Sequence, residues 1–572
     1  MKKYFIDSYK LLKNDEKKEV TYFFILTIVS LILETLSIGA LYPLLSVFVA
    51  DDINDKFPFI KIILDYFNIN NSSDIILIFV SIFVLLAFLI KNIFLIYFLF
   101  WHSNFYRNLR VRIKSDLLKI YNYETYNFHL QNNSSNLVRN ITLTTDQAIT
   151  NIYNCMMIII EGTIFLALCT LLFFIQSEMI FFLLFAIGVP TIIFVPIIKS
   201  IIGKWGEIII SYQGRAMKAL LQSFSMIKEI KIFNKEIEFV NHYTNEEKQA
   251  QNYIKKSTIL KNIPRFFFET LILISIIGYI FLQSKNHSIA LSSLIPELGI
   301  LIVTVLRIYP SINKIIFALN KLSQNHKAVK IITTDLNNYK NSTETNYDKI
   351  SFVHEIKFEN LCFSYLQKKN ILKNLNISIK KGEYIGIFGK SGSGKSTFLD
   401  ILLGLFIPSS GKIFVDNKEI NLCSRSWRNK IGYIPQVVNL IDENLLKNIC
   451  LETHQDKIDY DHFYKIIRQS NLENFLKYLP EKEFTYLGER GSKISGGEKQ
   501  RIGIARALYR KSEILVLDES TNSIDFKTKK IVLETINMLK KEKTIISVSH
   551  ELEDLKYCDI IYEMNDGYLV KK

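Results

Sequence analysis

The stretch at residues 389–396 carries the clearest chemistry in this sequence. It reads Gly-Lys-Ser-Gly-Ser-Gly-Lys-Ser, follows an apolar run at 384–388 and precedes a helix-like segment at 397–405. A glycine-rich loop between a strand and a helix can aim successive backbone N–H groups at a phosphate chain, and the positive end of the helix strengthens the attraction. The pattern therefore predicts a P-loop that binds a nucleoside triphosphate.

The polar side chains of this loop have distinct expected roles. Lys395 would contact the β- and γ-phosphates, and the hydroxyl of Ser396 would coordinate Mg²⁺. An ordinary glycine-rich turn is the alternative explanation of the motif taken alone. The predicted nucleotide-binding positions of the loop are Gly389, Ser391, Gly392, Ser393, Gly394, Lys395, Ser396 and Thr397.

Two further strand-like runs end in polar residues suited to hydrolysis. The run 514–518 ends in Asp518, which we expect to coordinate Mg²⁺, and Glu519 follows in a position to activate the attacking water as general base. The run 544–549 precedes His550, which could reach the γ-phosphate. One acid or histidine after a strand is more often structural, but together with the P-loop these residues predict a site that hydrolyses ATP.

Long apolar stretches dominate the first half of the chain. Each is near or above the ~20 residues that a helix needs to cross a bilayer. Several such runs in one half are typical of a membrane domain rather than of buried helices in a soluble protein. We predict six spans, at 20–48, 74–100, 152–175, 178–202, 266–284 and 290–318.

The distribution of charge orients these predicted spans. The chain has a formal net charge of +15, and lysine and arginine are concentrated in the long loops after the second and fourth spans. The positive-inside rule places those loops and both termini in the cytoplasm. The charge therefore needs no nucleic-acid partner. In the first outer loop, apolar residues at 57–68 recur at helical spacing, which predicts a short amphipathic helix at the membrane interface.

Charged residues within the apolar stretches are costly in lipid, so each is a candidate for function. Arg307 and Lys314 are seven residues apart and share one helix face, where they could line a water-filled cavity and attract an anionic head group. Arg265 could equally pair with Glu269 or extend to the cytoplasmic surface. The other charges inside the stretches are Glu34, Lys91 and Glu161.

The composition changes after the last apolar stretch. Polar residues at 337–344 predict a linker, and alternating strand-like and helical runs from about 350 predict an α/β fold around a mainly parallel sheet. The predicted organisation is a transmembrane domain at 1–335, a linker at 336–352 and a nucleotide-binding domain at 353–572. The six cysteines are scattered without a C-x-x-C pair, which argues against a zinc site or a disulfide framework.

The second half resembles the ATP-binding cassette (ABC) family. Between the P-loop and the predicted Mg²⁺-binding aspartate lies the run Ile494-Ser495-Gly496-Gly497-Glu498. It is similar to the family signature L-S-G-G-Q, with Ile494 in place of Leu and Glu498 in place of Gln. The resemblance implies that Ser495, Gly496 and Gly497 contact the γ-phosphate of ATP.

Further family positions can be assigned by the same resemblance. It implies that Tyr365 stacks on adenine and that Gln436, in the Q-loop, takes part in metal binding and catalysis. Asp525 occupies the D-loop position and His550 the position of the switch histidine. ATP and Mg²⁺ are the implied cofactors.

The family resemblance also implies an assembly. In this family the signature of one subunit completes the P-loop site of another, so a chain with one membrane half and one cassette is expected to act as a homodimer. The implied fold is a membrane domain of six transmembrane helices with long cytoplasmic extensions, followed by an α/β P-loop ABC nucleotide-binding domain. The expected location is the cell inner membrane, as a multi-pass exporter in contact with membrane lipid.

The membrane half is also similar to the lipid-linked oligosaccharide flippases of bacterial N-glycosylation. There, cations at the positions of Arg265, Arg307 and Lys314 form a belt for the cargo's pyrophosphate. A polyprenyl-diphosphate-linked oligosaccharide moved from the inner to the outer leaflet is the implied cargo. The alternative is an exporter of a peptide, lipid or amphiphilic small molecule. The residues that carry this similarity are Glu34, Thr35, Pro43, Pro264, Arg265, Leu306, Arg307, Pro310, Ser311, Asn313 and Lys314.

Two other classes of protein fit the sequence less well. A soluble cassette protein that acts on nucleic acid or ribosomes is excluded by the six predicted spans. A channel gated by ATP is disfavoured because Glu519, the expected general base, is retained and implies turnover.

Overall fold

The computed structural model describes residues 2–47, 73–175, 177–285, 295–340, 350–365, 370–452, 454–520, 526–540 and 542–572. The chain divides into two compact units. The first comprises residues 1–124 and 129–343, and the second comprises residues 125–128 and 344–572.

The described residues before 341 are mainly helical, and several of their helices are far longer than a helix in a soluble domain. A π-helical turn, Asn140–Thr144, joins the helix Ser134–Arg139 to the helix Thr145–Ile175. The helices are α1 (Lys2–Tyr9), α2 (Asn14–Gly39), α3 (Leu41–Val47), α4 (Ser73–Tyr123), α5 (Tyr126–Gln131), α6 (Ser134–Arg139), α7 (Thr145–Ile175), α8 (Ser177–Ser225), α9 (Ile227–Ile232), α10 (Glu236–Lys285), α11 (Ile295–Gln324) and α12 (His326–Lys340).

Membrane-spanning length and apolar composition coincide in several of these helices. In the part of the chain that the structure describes, four segments meet both criteria: Asn14–Leu45, Leu77–Tyr123, Ser134–Phe174 and Ile302–Gln324. They overlap the first, second, third and sixth predicted spans. The predicted spans 178–202 and 266–284 lie within α8 and α10, and the predicted amphipathic helix at 57–68 lies outside the described residues.

The helices of the first unit approach one another closely where glycine replaces a side chain. A Cβ atom on Gly206 of α8 would lie 2.1 Å from the carbonyl oxygen of Gln324 in α11. One turn earlier, a Cβ on Gly203 would lie 2.8 Å from the Oγ atom of Ser323. That hydroxyl donates to the carbonyl of Lys199 at 2.8 Å. The two helices therefore meet backbone to backbone at this level.

Helix α12 extends into the region predicted as a linker. It runs through Lys340, so the first residues of the predicted linker at 336–352 are helical. Ala328, Val329 and Ile332 are buried on one face of α12, so an apolar stripe packs this helix before the predicted linker begins.

Two sheets form the scaffold of the second unit. The strands are β1 (Glu355–Ser364), β2 (Asn370–Lys380), β3 (Tyr384–Phe388), β4 (Ser410–Val415), β5 (Lys418–Glu419), β6 (Ile431–Ile434), β7 (Ile514–Asp518), β8 (Thr544–Ser549), β9 (Ile560–Asn565) and β10 (Tyr568–Lys571). An antiparallel sheet has the order β2-β1-β4-β5, and a six-stranded sheet has the order β10-β9-β3-β8-β7-β6.

Helices cover the six-stranded sheet and alternate with its strands along the chain. In β7, Ile514 and Val516 join the apolar cluster shared with the antiparallel sheet, whereas Leu515 and Leu517 join the cluster beneath the helices of the opposite face. The strand is therefore apolar throughout, as strands buried on both faces are. The helices are α13 (Lys395–Leu402), α14 (Arg425–Arg428), α15 (Leu445–Cys450), α16 (Tyr460–Gln469), α17 (Glu473–Tyr478), α18 (Gly496–Tyr509) and α19 (Phe526–Leu539).

Parallel pairing brings the ends of three strands to the same edge of the sheet. Phe388 at the end of β3 pairs with Ser549 at the end of β8, and Asp518 at the end of β7 pairs with Val548. The loops that follow these strands must therefore lie close together, at the carboxyl edge where open α/β sheets bind ligands.

Candidate nucleotide-binding site

The backbone of the P-loop requires glycine at positions that the sequence motif supplies. Gly394 has a φ of +109°, in the region that residues with a Cβ rarely adopt. Gly389 is required by space instead, because a Cβ there would lie 2.3 Å from the carbonyl oxygen of Met564. The loop can thus form its tight turn directly against β9 only with glycine at these two positions.

Lys395 is held by the loop from which it extends. Its Nζ atom donates to the carbonyl oxygens of Gly389 at 2.7 Å and of Lys390 at 2.9 Å. Burial lowers the pKa of Lys395, and the charges of Glu519 and Asp518 act in the opposite direction. The ammonium group is therefore a buried cation with two acidic neighbours, suited to contact phosphate oxygens.

Other groups of the loop fit a phosphate and a magnesium ion. The Oγ atom of Ser393 is buried and has no hydrogen-bond partner within the described residues, so it can meet a ligand oxygen. Ser391 and Ser396 are exposed. Mg²⁺ usually takes one or two protein oxygens together with phosphate oxygens, so the Ser396 hydroxyl and the Asp518 carboxylate are a sufficient donor set.

Two side chains that the sequence did not single out surround Asp518. Tyr433 donates its hydroxyl to Asp518 Oδ2 at 3.2 Å. Burial, followed by the charge of Asp518, raises the pKa of Asp400 to about 6. Burial also raises the pKa of Asp518 itself. Asp400 lies four residues after Ser396 on α13, and this helical spacing could have indicated its place beside the site.

Glu519 is positioned by two side chains and by its own backbone. Gln436 Nε2 donates to Oε2 at 2.9 Å, and His550 Nε2 lies 2.6 Å from Oε1. Its backbone φ of +45° is uncommon for a residue with a Cβ, and its N–H donates to the carbonyl of Val548 at 3.0 Å. Such conformations cluster at functional sites, where the surrounding structure maintains them.

His550 connects the predicted base to the P-loop. Its Nδ1 atom lies 3.0 Å from the carbonyl oxygen of Gly389 and 3.3 Å from Lys395 Nζ. The imidazole therefore contacts Glu519 through one nitrogen and the P-loop through the other. The structure thus brings together four of the predicted residues: Lys395, Gln436, Glu519 and His550.

Tyr365 lies beside the helix that follows the P-loop. Its hydroxyl shares a hydrogen bond of 3.4 Å with Thr397 Oγ1, and its ring meets the rings of Phe363 and Phe406 edge to face. The ring is partly buried. Asp525, the predicted D-loop residue, lies outside the described residues.

The signature segment forms the start of α18. Ser495 is the N-cap, and its Oγ atom accepts from the Glu498 N–H at 3.3 Å. Glu498 Oε2 accepts from the N–H of Ser495 at 2.7 Å and from its hydroxyl at 2.8 Å. Glu498 therefore completes a capping box that fixes the Ser495 hydroxyl. Gly497 is buried, and Gly496 is exposed in the first turn.

The predicted cargo-binding cations are engaged in ion pairs. Arg307 Nε donates to Glu34 Oε1, and Lys314 Nζ donates to Glu161 Oε1 at 2.6 Å. The second oxygen of each carboxylate is buried without a hydrogen-bond partner in the part of the chain that is described. Each of the two cations is therefore paired with a buried carboxylate of another helix. Arg265 lies in α10, but its side chain is outside the described residues.

Comparison with known proteins identifies this architecture. Residues 372–522 match the family model described as ABC transporter. The structure is similar to that of a bacterial Atm1-family ABC exporter with ATP bound, with a TM-score of 0.81 and 18% sequence identity over 97% of this chain and 95% of that chain. The chain has an ABC exporter fold. The predicted fold class, a helical membrane domain followed by an ABC nucleotide-binding domain, is confirmed.

Relatives of the ABC domain point to the same class of ATPase. The chain is 35% identical over 217 residues to the alpha-hemolysin translocation ATP-binding protein HlyB of Escherichia coli O157:H7, an alignment that covers 38% of this chain and only 30% of HlyB. A protein of Rickettsia bellii named as an export ATP-binding/permease protein is 26% identical over 82% of both chains. The prediction of an ABC-type ATPase domain is confirmed.

Proposed function

We propose that this chain is one subunit of an ATP-driven exporter that acts as a homodimer in the cell inner membrane. The observation that carries the proposal is the meeting of Lys395, Glu519 and His550 at the carboxyl edge of one sheet. Supporting it are the ABC exporter fold and the apolar helices of the first unit.

In the proposed reaction, water attacks the γ-phosphorus of ATP and the bond to the bridging oxygen of ADP breaks. Glu519 accepts the proton of the attacking water, while His550 and Gln436 hold its carboxylate in place. Lys395 exchanges the carbonyl of Gly389 for phosphate oxygens and stabilises the charge that develops on them. Ser396, Gln436 and Asp518 would hold Mg²⁺, which neutralises phosphate charge.

The position of the signature supports the proposed homodimer. Within the described residues, the side-chain hydrogen bonds of Ser495 are made with Glu498 and none is made to the P-loop of its own chain. In the proposed dimer, Ser495, Gly496 and Gly497 of each subunit would complete the site of the other.

Two classes of cargo are proposed. A polyprenyl-diphosphate-linked oligosaccharide is favoured by the cationic residues Arg265, Arg307 and Lys314. To bind the last two, its pyrophosphate would have to displace the buried carboxylates of Glu34 and Glu161, and an unpaired buried charge is costly. The ion pairs therefore favour the second class of cargo, a peptide, lipid or amphiphilic small molecule.

Transport by the full-length protein in proteoliposomes tests these proposals. ATP-dependent movement of a labelled lipid-linked glycan, a labelled peptide and a fluorescent amphiphile is measured with wild type and with Lys395→Ala. The proposal expects at least one cargo class to move with wild type and to stay in place with the variant. Movement of every class at the same rate with both proteins would contradict it, and a static glycan beside a moving amphiphile would reject the glycan cargo.

A further inference from the structure

A cavity of about 480 Å³ opens in the first unit beside helices α1, α8 and α11. Tyr4 of α1, Lys199, Ser200 and Lys204 of α8, and Ser323 of α11 are among the residues that line it. Its volume lies in the range of small-molecule sites. It shares no lining residue with the ATP site or with the membrane ion pairs.

The lining of this cavity carries more positive than negative charge. The charged residues of the lining are Lys199, Lys204 and Glu207. Neither lysine forms an ion pair in the part of the chain that the structure describes. Lys199 Nζ lies 4.7 Å from the centroid of the Tyr4 ring, a cation–π contact that orients the ammonium group. The excess is one positive charge, which suits a singly charged anion.

Part of the cavity is open because residue 203 is glycine and has no side chain. Gly203 lines it, and a Cβ at that position would lie 2.8 Å from Ser323 Oγ. The Ser323 hydroxyl is engaged with the carbonyl of Lys199. Ser200 is exposed and adds a hydroxyl donor to the two ammonium groups. Ammonium and hydroxyl donors that converge on one space are suited to phosphate oxygens.

The cavity lies at one end of the membrane-spanning helices. Ser323 is one residue from the end of the candidate span Ile302–Gln324, and Tyr4 precedes the candidate span that begins at Asn14. Both positions are on the side that the positive-inside rule assigns to the cytoplasm. Helix α1 exposes Ile6 and Tyr9, as a helix at the lipid interface does.

We propose that this cavity binds the phosphate of an anionic phospholipid head group in the cytoplasmic leaflet. Basic pockets between transmembrane helices on this side of a membrane bind anionic head groups. Lys199 and Lys204 supply the charge, Ser200 a hydroxyl donor, and Gly203 the space. This lipid site goes beyond the proposed transport of cargo, because its lining includes none of the residues proposed to bind ATP or cargo.

The test uses the full-length protein in nanodiscs of phosphatidylcholine with increasing phosphatidylglycerol, and native mass spectrometry of the lipid that remains bound. Lys199→Ala/Lys204→Ala is compared with Lys218→Ala/Lys248→Ala, which removes two exposed lysines of the same unit away from the cavity. We expect retained phosphatidylglycerol to fall about fivefold for each cavity lysine, and the control to match wild type. Ser200→Trp fills the cavity without a change of charge and should also reduce retention.

Equal retention by the cavity variants and the control would overturn the proposal. So would equal retention of phosphatidylcholine and phosphatidylglycerol by wild type. Inorganic phosphate added to detergent-solubilised protein separates the two sources of the anion. If phosphate raises the melting temperature as much as phosphatidylglycerol does, the cavity recognises a free anion and the lipid assignment is wrong. If the double variant does not fold, Ser200→Trp and the single variants provide the same comparison.

Discussion

The Nε2 atom of His550 lies 2.6 Å from the Oε1 atom of Glu519, and the two residues follow neighbouring parallel strands. Gln436 Nε2 donates to the other carboxylate oxygen at 2.9 Å. The predicted general base is therefore positioned by two side chains, each bound to a different oxygen. Each carboxylate oxygen keeps a second lone pair, so the base can accept a proton from water while both contacts hold it in place. The geometry connects the base, through His550, to the P-loop carbonyl of Gly389.

The acidic residue of the signature should weaken ATP binding in the proposed dimer. Glu498→Gln keeps a side chain that can complete the capping box and removes a negative charge beside Ser495, the serine proposed to contact the γ-phosphate. We expect the KM for ATP to fall about fivefold, since two unit charges about 4 Å apart in water interact with about 1 kcal/mol. ATPase assays over a range of ATP concentrations measure this change. Glu498→Ala, which loses the cap, should show a smaller gain or none, and an unchanged KM in Glu498→Gln would contradict the prediction.

Asp400 should make the stability of the second unit depend on pH. Its pKa is raised from 3.8 to about 6, so the folded state holds this proton more tightly than the unfolded chain does. The contribution is fully present below pH 3.8 and is lost as the pH rises through about 6. Asp400→Asn should therefore stabilise the protein at pH 8 relative to wild type, by about 1–2 kcal/mol after a discount for solvent screening.

Thermal unfolding of the full-length protein between pH 5 and pH 8 measures this difference, with the buried Trp427 of the second unit among the fluorescent reporters. The exposed Asp461 provides the matched control, because Asp461→Asn should leave the dependence on pH unchanged. If the melting temperatures of wild type and Asp400→Asn change with pH in the same way, the raised pKa assigned to Asp400 is wrong.

The ion pair between Arg307 and Glu34 should couple α11 to α2. Removal of one partner leaves a buried charge, so we expect Glu34→Gln and Arg307→Gln each to destabilise the protein by about 1–3 kcal/mol, less than a fully buried pair because the arginine side chain is 27% exposed. The double variant should lose less than the sum. A double-mutant cycle in detergent measures the coupling. The exposed pair Lys18 and Asp15 should give a coupling near zero, and equal couplings would contradict the account.

Glycine at position 206 should be required by packing. Gly206→Ala would place a Cβ 2.1 Å from the Gln324 carbonyl oxygen, so we expect a loss of about 1–3 kcal/mol. The control is Gly162→Ala in α7, where a Cβ would meet no atom within 4 Å. That change should leave stability unchanged or raise it by up to about 1 kcal/mol, because alanine favours a helix. The melting temperatures of Gly206→Ala and Gly162→Ala measure this difference. Similar melting temperatures for the two variants would contradict the packing argument.

The ATP site could be predicted from the sequence because its parts are local. Each of Lys395, Glu519 and His550 follows a short apolar run that reads as a buried strand. Parallel pairing then brings the ends of those strands together without further information. The capping box of Ser495 and Glu498 was also readable from the S-x-x-E spacing, although the sequence interpretation treated Glu498 only as a departure from the family signature.

The ion pairs of the membrane half could not be predicted in this way. Arg307 and Glu34 are 273 residues apart in the chain, and Lys314 and Glu161 are 153 apart. Their pairing depends on which helices are neighbours and how each is rotated about its axis. Helices that are apolar on most of their surface carry little periodicity from which either could be inferred. The position of a charged residue within an apolar stretch therefore marks it as a candidate for function, but it does not identify the residue with which it pairs.

The release of phosphate from Mg-ATP by the purified full-length protein tests the central claim most directly. Glu519→Gln should lower the rate by about 10²–10⁴-fold, the usual contribution of a general base, while ATP binding is retained. Glu551→Gln, a change at an exposed acid next to His550, is the control and should keep the wild-type rate. A wild-type rate in Glu519→Gln would contradict the assignment of this site as the one that hydrolyses ATP.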